Sequence, residues 1–354
     1  MANVVLVPGL QNSGFYPRLD RQRRTIYYRS TELIVNGLSN FALDDSGTSP
    51  GALSEVGPLV PYYSQTCTPW TAIEPLLTRL GHRCYTFAYD WRMNLIDSGV
   101  QLQRFIAEEL GNATYTVLAY SMGGLIARVA YAGIPAGPRR DAWLRTTYLC
   151  CPHGGSYDAV TALNGWVDYG SILAQIALAV GVLVRRVLTA PFGAGSQRAR
   201  FNAVVSSWPS LYQLIPSDVG PWLGSDVNLP QLDNAPAWTS LNPNILQGQL
   251  NAGGNVRAYL ASLLDMPRPE EVNIVCQGFD TFQSIARLGQ LGTRSGYVSS
   301  TAGDGFVSLA RAHLPGAAWE PVLTQQHQEV LTSAILLFGL PAYLFGPLPA
   351  AAAA

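Results

Sequence analysis

One stretch of the chain, from Thr114 to Tyr131 (TYTVLAYSMGGLIARVAY), admits few folds. It begins with an apolar run rich in β-forming residues and continues through Ser121, which small residues surround. A segment with apolar residues at helical spacing follows. This order predicts a strand, a tight turn with the serine at its corner, and a helix, which is a unit typical of an α/β domain.

The pattern around the serine also indicates chemistry. Ser121 has Ala119 and Gly123 two residues to either side, a small-x-Ser-x-Gly pattern in which alanine replaces the commoner glycine. A serine hydroxyl is a weak nucleophile, so an enzyme exposes it on a tight turn where a base can reach it. The alternative is an accidental serine between a strand and a helix. The apolar strand before it and the apolar-faced helix after it favour a nucleophile elbow.

Composition excludes several other classes. The chain has 354 residues, 48% of them hydrophobic, which is enough for one large α/β domain with a cap or for two ordinary domains. The net charge is −1 and no basic run is long enough to follow a phosphate backbone, so we expect no nucleic-acid partner. All 22 basic residues are arginine, which excludes Schiff-base chemistry and a P-loop lysine.

Cysteine usage gives no sign of a metal or a cofactor. Of the five cysteines, only Cys67 lies in a predicted loop, and no spacing suggests a zinc site. The other four lie in apolar strand-like runs, where we expect reduced buried thiols: Cys84, Cys150, Cys151 and Cys276.

Two apolar stretches raise the question of a membrane. Residues 172–184 are too few to span a bilayer, and residues 331–348 are interrupted by Gly339, Pro341, Gly346 and Pro347. We therefore predict no transmembrane helix, with transient contact to a lipid surface left open for either stretch. The chain starts directly in a strand without the features of a signal peptide, which predicts a cytoplasmic protein unless a leader has been trimmed.

The base and the acid that serve the serine can be sought by their order. In α/β enzymes with a serine on such an elbow, the acid and then the histidine follow it along the chain. Of the four histidines, only His313 and His327 lie late enough. We favour His327, which lies between a strand-like segment and an apolar helix. For the acid, Asp304 between two glycines is favoured over Asp280, because the tight loop would let its carboxylate orient the imidazole.

The first strand supplies a fourth element of the predicted site. Residues 3–7 form a strand that ends in Pro8-Gly9-Leu10. We predict that the backbone N–H groups of Leu10 and of Met122, the residue after the serine, form an oxyanion hole. The residues Tyr89-Asp90-Trp91-Arg92 form a polar and aromatic cluster at the end of a later strand. For Asp90 and Arg92 we favour a structural ion pair over a catalytic role.

Several of these motifs together resemble the lecithin:cholesterol acyltransferase family of α/β-hydrolases. The similarity spans most of the chain, from about residue 3 to 335, and, outside the motifs given below, is close to absent between residues 157 and 271. His153 and Phe306 depart from the family pattern, in which tryptophan and threonine stand. The matching segments are the Pro-Gly-Leu turn, YDWR at 89–92, the serine elbow, CPHGGS at 151–156, SWPS at 207–210 with LIP at 214–216, and GDGFV at 303–307.

The resemblance implies an α/β-hydrolase fold, a mostly parallel sheet with helices on both faces and an inserted cap. We assign residues 1–156 to the first part of the core with a long loop at 11–69, and 157–271 to the cap. Residues 272–340 form the second part of the core and 341–354 a tail.

The implied activity is that of a lipase, phospholipase A or O-acyltransferase on lipid esters, through Ser121, Asp304 and His327 and without a cofactor. A soluble esterase or thioesterase for short acyl groups and a catalytically inactive binding protein are the alternatives.

Overall fold

The computed structural model describes twelve parts of the chain: residues 1–10, 43, 70, 72–163, 202–216, 232–238, 242–266, 268–278, 284–288, 297–300, 302–327 and 329–348. Several sequence predictions concern residues outside these ranges. They include nearly all of the loop at 11–69 with Cys67, the apolar stretch at 172–184, and Asp280.

A six-stranded parallel sheet forms the centre of the described fold, with the strand order β2-β1-β3-β4-β5-β8. A separate antiparallel pair, β6 and β7, lies outside it. The strands are β1 (Asn3–Val7), β2 (Arg83–Thr86), β3 (Tyr115–Tyr120), β4 (Trp143–Leu149), β5 (Glu270–Cys276), β6 (Ser284–Leu288), β7 (Tyr297–Ser300) and β8 (Val322–Leu323).

Helices connect most of these strands. The α-helices of the described residues are α1 (Ile73–Arg79), α2 (Leu95–Glu109), α3 (Gly123–Gly133), α4 (Pro138–Asp141), α5 (Tyr157–Leu163), α6 (Pro209–Gln213), α7 (Ala235–Trp238), α8 (Gln247–Ser262), α9 (Leu309–Ala312) and α10 (Ala334–Phe345). Short 3₁₀ turns follow α8 at Leu263–Asp265 and precede α10 at Glu329–Thr332.

The apolar strands are buried on both faces because helices cover both sides of the sheet, as is usual for parallel sheets. Alternate residues of a strand point to opposite faces. In β1, Val5 and Val7 accordingly pack with α2 and α3, whereas Val4 and Leu6 pack with α1 and α10. The central strand β3 is buried along its whole length, which explains why its sequence is almost continuously apolar.

The strand order places the elbow at a reversal in the topology. The chain first builds outward from β1 to β2 and then crosses to the other side of β1 to form β3. At such a reversal, the loops that leave adjacent strands diverge and open a crevice at the carboxyl ends of the strands. The turn after β1 and the serine after β3 therefore lie at the same edge of the sheet.

The second half of the chain differs in detail from the sequence expectation. The strand expected at 319–323 is limited to Val322–Leu323 with an isolated bridge at Trp319. Helix α10 continues through Pro341, although the Gly and Pro residues suggested a broken segment. Packing against the sheet compensates for the backbone hydrogen bond that proline cannot make. Three leucines and one tyrosine of α10 make this packing: Leu336, Leu340, Tyr343 and Leu344.

Between β4 and β5 the regular elements among the described residues are helices, from α5 to α8, with loops and turns between them. Helix α8 packs closely on α6, since a Cβ at Gly253 would lie 2.7 Å from the carbonyl oxygen of Tyr212. The proposed boundaries of a cap at 157–271 stay a prediction. Within the described part of the chain, no helix has both the length and the apolarity needed to cross a bilayer.

Candidate functional site

The turn after β3 has the geometry of a nucleophile elbow. Ser121 has φ of +54°, a left-handed conformation that is uncommon for residues other than glycine. Its amide still donates to the carbonyl oxygen of Leu149 at 2.9 Å, which continues the pairing of β3 with β4. The strained turn therefore starts directly at the end of the sheet, and it directs the next residues into α3.

Gly123 is required by the close packing of this turn on β1. A Cβ at this position would lie 2.5 Å from the carbonyl oxygens of both Val7 and Pro8. Since both are backbone atoms, no side chain could be accommodated without moving the strand end. The small residue of the sequence pattern therefore brings the elbow and the Pro8–Leu10 turn into contact.

Three side chains from distant parts of the chain form one hydrogen-bonded series at this turn. The Nε2 atom of His327 lies 2.9 Å from Ser121 Oγ, and its Nδ1 atom lies 2.6 Å from Asp304 Oδ2. Asp304 and His327 are buried, while Ser121 is partly exposed. The structure thus brings together the predicted nucleophile, base and acid.

The carboxylate of Asp304 is fixed by its own loop. Its Oδ1 atom accepts hydrogen bonds from the amides of Phe306 at 3.0 Å and Val307 at 2.7 Å, which leaves Oδ2 for the imidazole. Because an ionised carboxylate only accepts, Nδ1 of His327 must carry a proton. In the neutral imidazole, Nε2 is then unprotonated and accepts the hydroxyl hydrogen of Ser121.

The peptide group of His327 is held on both sides. Its N–H donates to the carbonyl oxygen of Asp304 at 2.9 Å, and its carbonyl oxygen accepts from the Tyr120 hydroxyl at 2.8 Å. The rings of Tyr120 and Phe306 lie 5.1 and 5.2 Å from the imidazole, measured between centroids. These contacts restrict the imidazole to the position in which it meets the serine.

The sequence patterns assign no role to Tyr120, the residue before the serine. The position of Tyr120 in β3 could have predicted which face of the sheet its side chain lies on. Alternate residues of β3 share a face of the sheet, so Tyr120 lies on the same face as Leu118. The C-terminal part of the chain, which contains His327, covers this face.

The predicted oxyanion donors lie at the same edge of the sheet. Met122 is the N-cap residue of α3, where amides have no acceptor within the helix. The turn that contains Leu10 is fixed at Pro8, whose carbonyl oxygen accepts from the buried Tyr89 hydroxyl at 2.8 Å. The assignment of both amides to an oxyanion hole stays a prediction.

The remaining histidines have other contacts. His313 is half exposed and its Nδ1 atom lies 2.7 Å from Glu320 Oε1. His82 stacks on Phe345, and the buried His153 contacts Asn273. The competing acid, Asp280, lies outside the described residues. Among the described residues, Asp304 and His327 have contacts that suit acid–base chemistry, and their roles stay a prediction.

One group in the described residues has the composition of a metal site: Cys150, Asp304 and His327, whose potential ligand atoms lie within 4.8 Å of one another. Two observations disfavour a metal there. Both imidazole nitrogens already serve Ser121 and Asp304, and burial raises the pKa of the Cys150 thiol well above its ordinary value. A metal ligand must be the thiolate, so this thiol is a poor one.

The polar cluster that ends the strand after α1 is a structural brace, as the sequence indicated. Arg92 donates from Nε to Asp90 Oδ1 at 2.9 Å and from Nη2 to Oδ2 at 2.6 Å, and its own amide also donates to Oδ1. Both side chains are buried. Trp91 between them packs edge-on against Trp208, which links this loop to the segment between β4 and β5.

No protein-family model matches the sequence, and no curated protein matches it. Solved structures do. A chain of the Tle4–Tli4 complex is 12% identical, with 96% of this chain and 97% of that chain covered and a TM-score of 0.54. The chain has the α/β-hydrolase fold.

Two further matches have lower TM-scores. Mature lipase BlEst2 of Bacillus licheniformis is 13% identical, covers 97% of this chain and 92% of its own, and has a TM-score of 0.41. The metagenomic carboxyl esterase MGS0156 is also 13% identical, with 93% and 65% covered and a TM-score of 0.41. The predicted α/β-hydrolase fold is confirmed, whereas the resemblance to the lecithin:cholesterol acyltransferase family stays a prediction.

Proposed function

We propose that the protein is a serine hydrolase of carboxylic esters. The hydrogen-bonded series from Ser121 through His327 to Asp304, at an elbow with φ of +54°, carries this proposal. A surface serine has no need of a strained turn. A strained backbone is retained where the surrounding structure enforces it, which is common at active sites.

In the first half of the proposed reaction, Ser121 Oγ attacks the ester carbonyl carbon while His327 Nε2 takes its proton. Asp304 stabilises the imidazolium through Nδ1 and remains ionised. The tetrahedral intermediate collapses as the C–O bond to the alcohol breaks, and the imidazolium gives its proton to the leaving oxygen. The product of this half is an ester of the acyl group with Ser121.

In the second half, water attacks the acyl-enzyme and transfers its proton to His327. Collapse of the second intermediate releases the acid and returns the proton to Ser121. An alcohol in the place of water would give a new ester by the same steps. The amides of Leu10 and Met122 are the donors that we assign to the developing oxyanion, where one such donor typically contributes about 10²–10³ in rate.

We further propose that the substrate is a lipid ester, so that the enzyme is a lipase, a phospholipase A or an O-acyltransferase. The motif resemblance at residues 89–92, 151–156 and 303–307 supports this class. Helix α10 is consistent with it, since it has no charged residue and leaves Phe338 88% exposed. An exposed phenylalanine on an uncharged helix suits an enzyme that works near lipid.

Labelling with a fluorophosphonate tests the chemistry. We expect the wild-type protein to be labelled, and Ser121→Ala to lose the label while its thermal melting temperature stays within about 2 °C, because the hydroxyl is partly exposed. Ser207→Ala, which removes a serine hydroxyl outside the site, is the matched control and should label fully. A folded wild-type protein that does not label would overturn the proposal.

Turnover of an ester series tests the substrate class. Initial rates should be compared for p-nitrophenyl esters of increasing chain length and for phospholipid vesicles, each with and without an alcohol acceptor. We expect rates to rise with chain length and a response to vesicles. A rate that falls steadily with chain length, with no turnover of vesicles, would favour the short-acyl esterase instead, while labelling of Ser121 would be unaffected.

A further inference from the structure

Helix α3 carries a buried arginine that the proposed reaction does not use. Arg128 follows Ser121 by two helical turns and is 4% exposed. Its Nη2 atom donates to the carbonyl oxygen of Leu260 at 2.6 Å. Its Nε and Nη1 atoms are buried and have no hydrogen-bond partner among the residues that the structure describes. A guanidinium in this state has several unused donors.

The surroundings of Arg128 can be located from its helix. Gly124 and Arg128 are four residues apart and therefore share a face of α3. A Cβ at Gly124 would lie 3.1 Å from the ring of Tyr148, so this face of α3 packs on β4 near the carboxyl end of that strand. The guanidinium of Arg128 interacts electrostatically with Tyr148 and Glu271.

Glu271, the carboxylate that acts on Arg128 among the described residues, is engaged by other groups. Glu271 accepts from the Tyr148 hydroxyl at 2.8 Å through Oε1, and its Oε2 atom lies 2.9 Å from Arg268 Nη1. Among the residues that the structure describes, the buried Arg128 and the partly exposed Arg268 therefore share one carboxylate, which leaves one positive charge unmatched. Burial also lowers the pKa of Arg128, but from so high an ordinary value that the group stays charged at neutral pH.

The neighbouring histidine adds no negative charge. The Nε2 atom of His153 lies 3.2 Å from Asn273 Oδ1, an oxygen whose amide nitrogen donates to Ala312 and Glu320. The oxygen accepts, so Nε2 carries the proton of His153. Burial, followed by the charge of Arg128, lowers the pKa of His153 well below its ordinary value, and the imidazole is neutral.

A buried charge is costly unless it is paired, and arginine cannot become neutral to escape the cost. The free donors of Arg128 and the excess charge around it are both satisfied by a monovalent anion. Arg128 is 4% exposed and one of its donors is already bonded to Leu260 of α8, and a site this buried favours a small spherical anion over phosphate or a carboxylate. We propose that Arg128 forms a buried chloride site beneath the helix that carries Ser121.

Thermal melting in matched salts tests this site without reference to catalysis. Wild-type protein should be melted in sodium chloride, bromide and gluconate at equal ionic strength, each from 5 to 200 mM. We expect the melting temperature to be at least about 2 °C higher in chloride and bromide than in gluconate, because a ligand of the native state stabilises it by mass action. Arg128→Met should lose this difference.

Arg104→Met is the matched control, since it removes one arginine from an exposed position on α2. It should keep the full difference between chloride and gluconate. Equal melting temperatures in the three salts, or an undiminished chloride response in Arg128→Met, would refute the site.

A second measurement covers the case in which Arg128→Met does not fold. Wild-type crystals soaked in bromide should give an anomalous scattering peak within about 3.5 Å of the Arg128 guanidinium. Data collected at the bromine edge without a peak at that place, from crystals that are saturated with bromide, would overturn the proposal. Bridging water alone would give neither the anomalous peak nor the anion-specific melting shift.

Discussion

Replacement of Gly123 by alanine should damage the proposed site while leaving its three side chains in the sequence. The added Cβ would lie 2.5 Å from the carbonyl oxygens of Val7 and Pro8, well below the 3.4 Å at which ordinary contacts begin. Both neighbours are backbone, so the strand end and the start of α3 must separate by several tenths of an ångström. This movement shifts the Pro8–Leu10 turn away from Ser121.

The magnitude follows from two opposing effects. Overpacking of this kind costs about 1–3 kcal/mol, whereas alanine for glycine in a helix contributes up to about 1 kcal/mol in the other direction. We expect a net loss of about 1–2 kcal/mol in the free energy of unfolding. Activity should suffer more, because displacement of reacting groups by about 1 Å costs about 10²-fold in rate.

The assay is kcat/KM for the ester of the series that turns over fastest, with the free energy of unfolding measured in urea. Gly248→Ala is the matched control, since this glycine lies in α8 and a Cβ there would have no atom within 4 Å. It should leave kcat/KM unchanged and raise stability slightly. If Gly123→Ala kept kcat/KM within twofold of the wild-type value, the close packing of the elbow on β1 would not matter for catalysis.

Three further changes have definite expected outcomes. Asp304→Asn should lower kcat/KM by about 10³–10⁴ with melting temperature little affected, because the amide cannot stabilise the imidazolium; a loss below tenfold would contradict its role as the acid. Tyr120→Phe leaves the His327 carbonyl oxygen without its donor, and should cost about 1 kcal/mol of stability and lower kcat more than it changes KM; an unchanged kcat would remove Tyr120 from the positioning of the base. Burial lowers the pKa of His153, so below about pH 6.5 the unfolded chain binds a proton at this residue and the folded protein does not. The free energy of unfolding is therefore unaffected by His153 above that pH and falls as the pH decreases below it. Unfolding in urea from pH 7.5 to 5 should show this loss, and His153→Gln should reduce the slope; an equal slope in both proteins would contradict it.

The sequence was most informative where local and global requirements coincide. A fully buried parallel strand must be apolar along its length, and the turn after it must have small residues, so 114–131 could be assigned from its residues alone. The order of acid and base along the chain then left few choices, since there are only four histidines. Asp304 and His327 lie in hydrogen-bond contact, and their catalytic roles stay a prediction.

Features that depend on distant contacts could not be obtained in this way. The hydroxyl of Tyr120 meets a residue 207 positions away, and no local pattern reports that contact. Helix α10 continues through Pro341 because packing against the sheet outweighs the local preference. The two guanidinium nitrogens of Arg128 that have no partner among the described residues likewise depend on distant elements packed around α3.

The peptide group of His327 is bonded independently of its ring. Its N–H and carbonyl oxygen are joined to the acid loop and to β3, so the loop remains closed even when the side-chain carboxylate is removed. Hydrogen exchange at the His327 amide requires its bond to the Asp304 carbonyl oxygen to open, and it should therefore be slow in both the native protein and a variant that lacks only the side-chain carboxylate. If the proposed function holds, loss of chemistry and loss of order should therefore be separable, and an inactive variant should keep the shape of the site and still bind an ester without cleaving it.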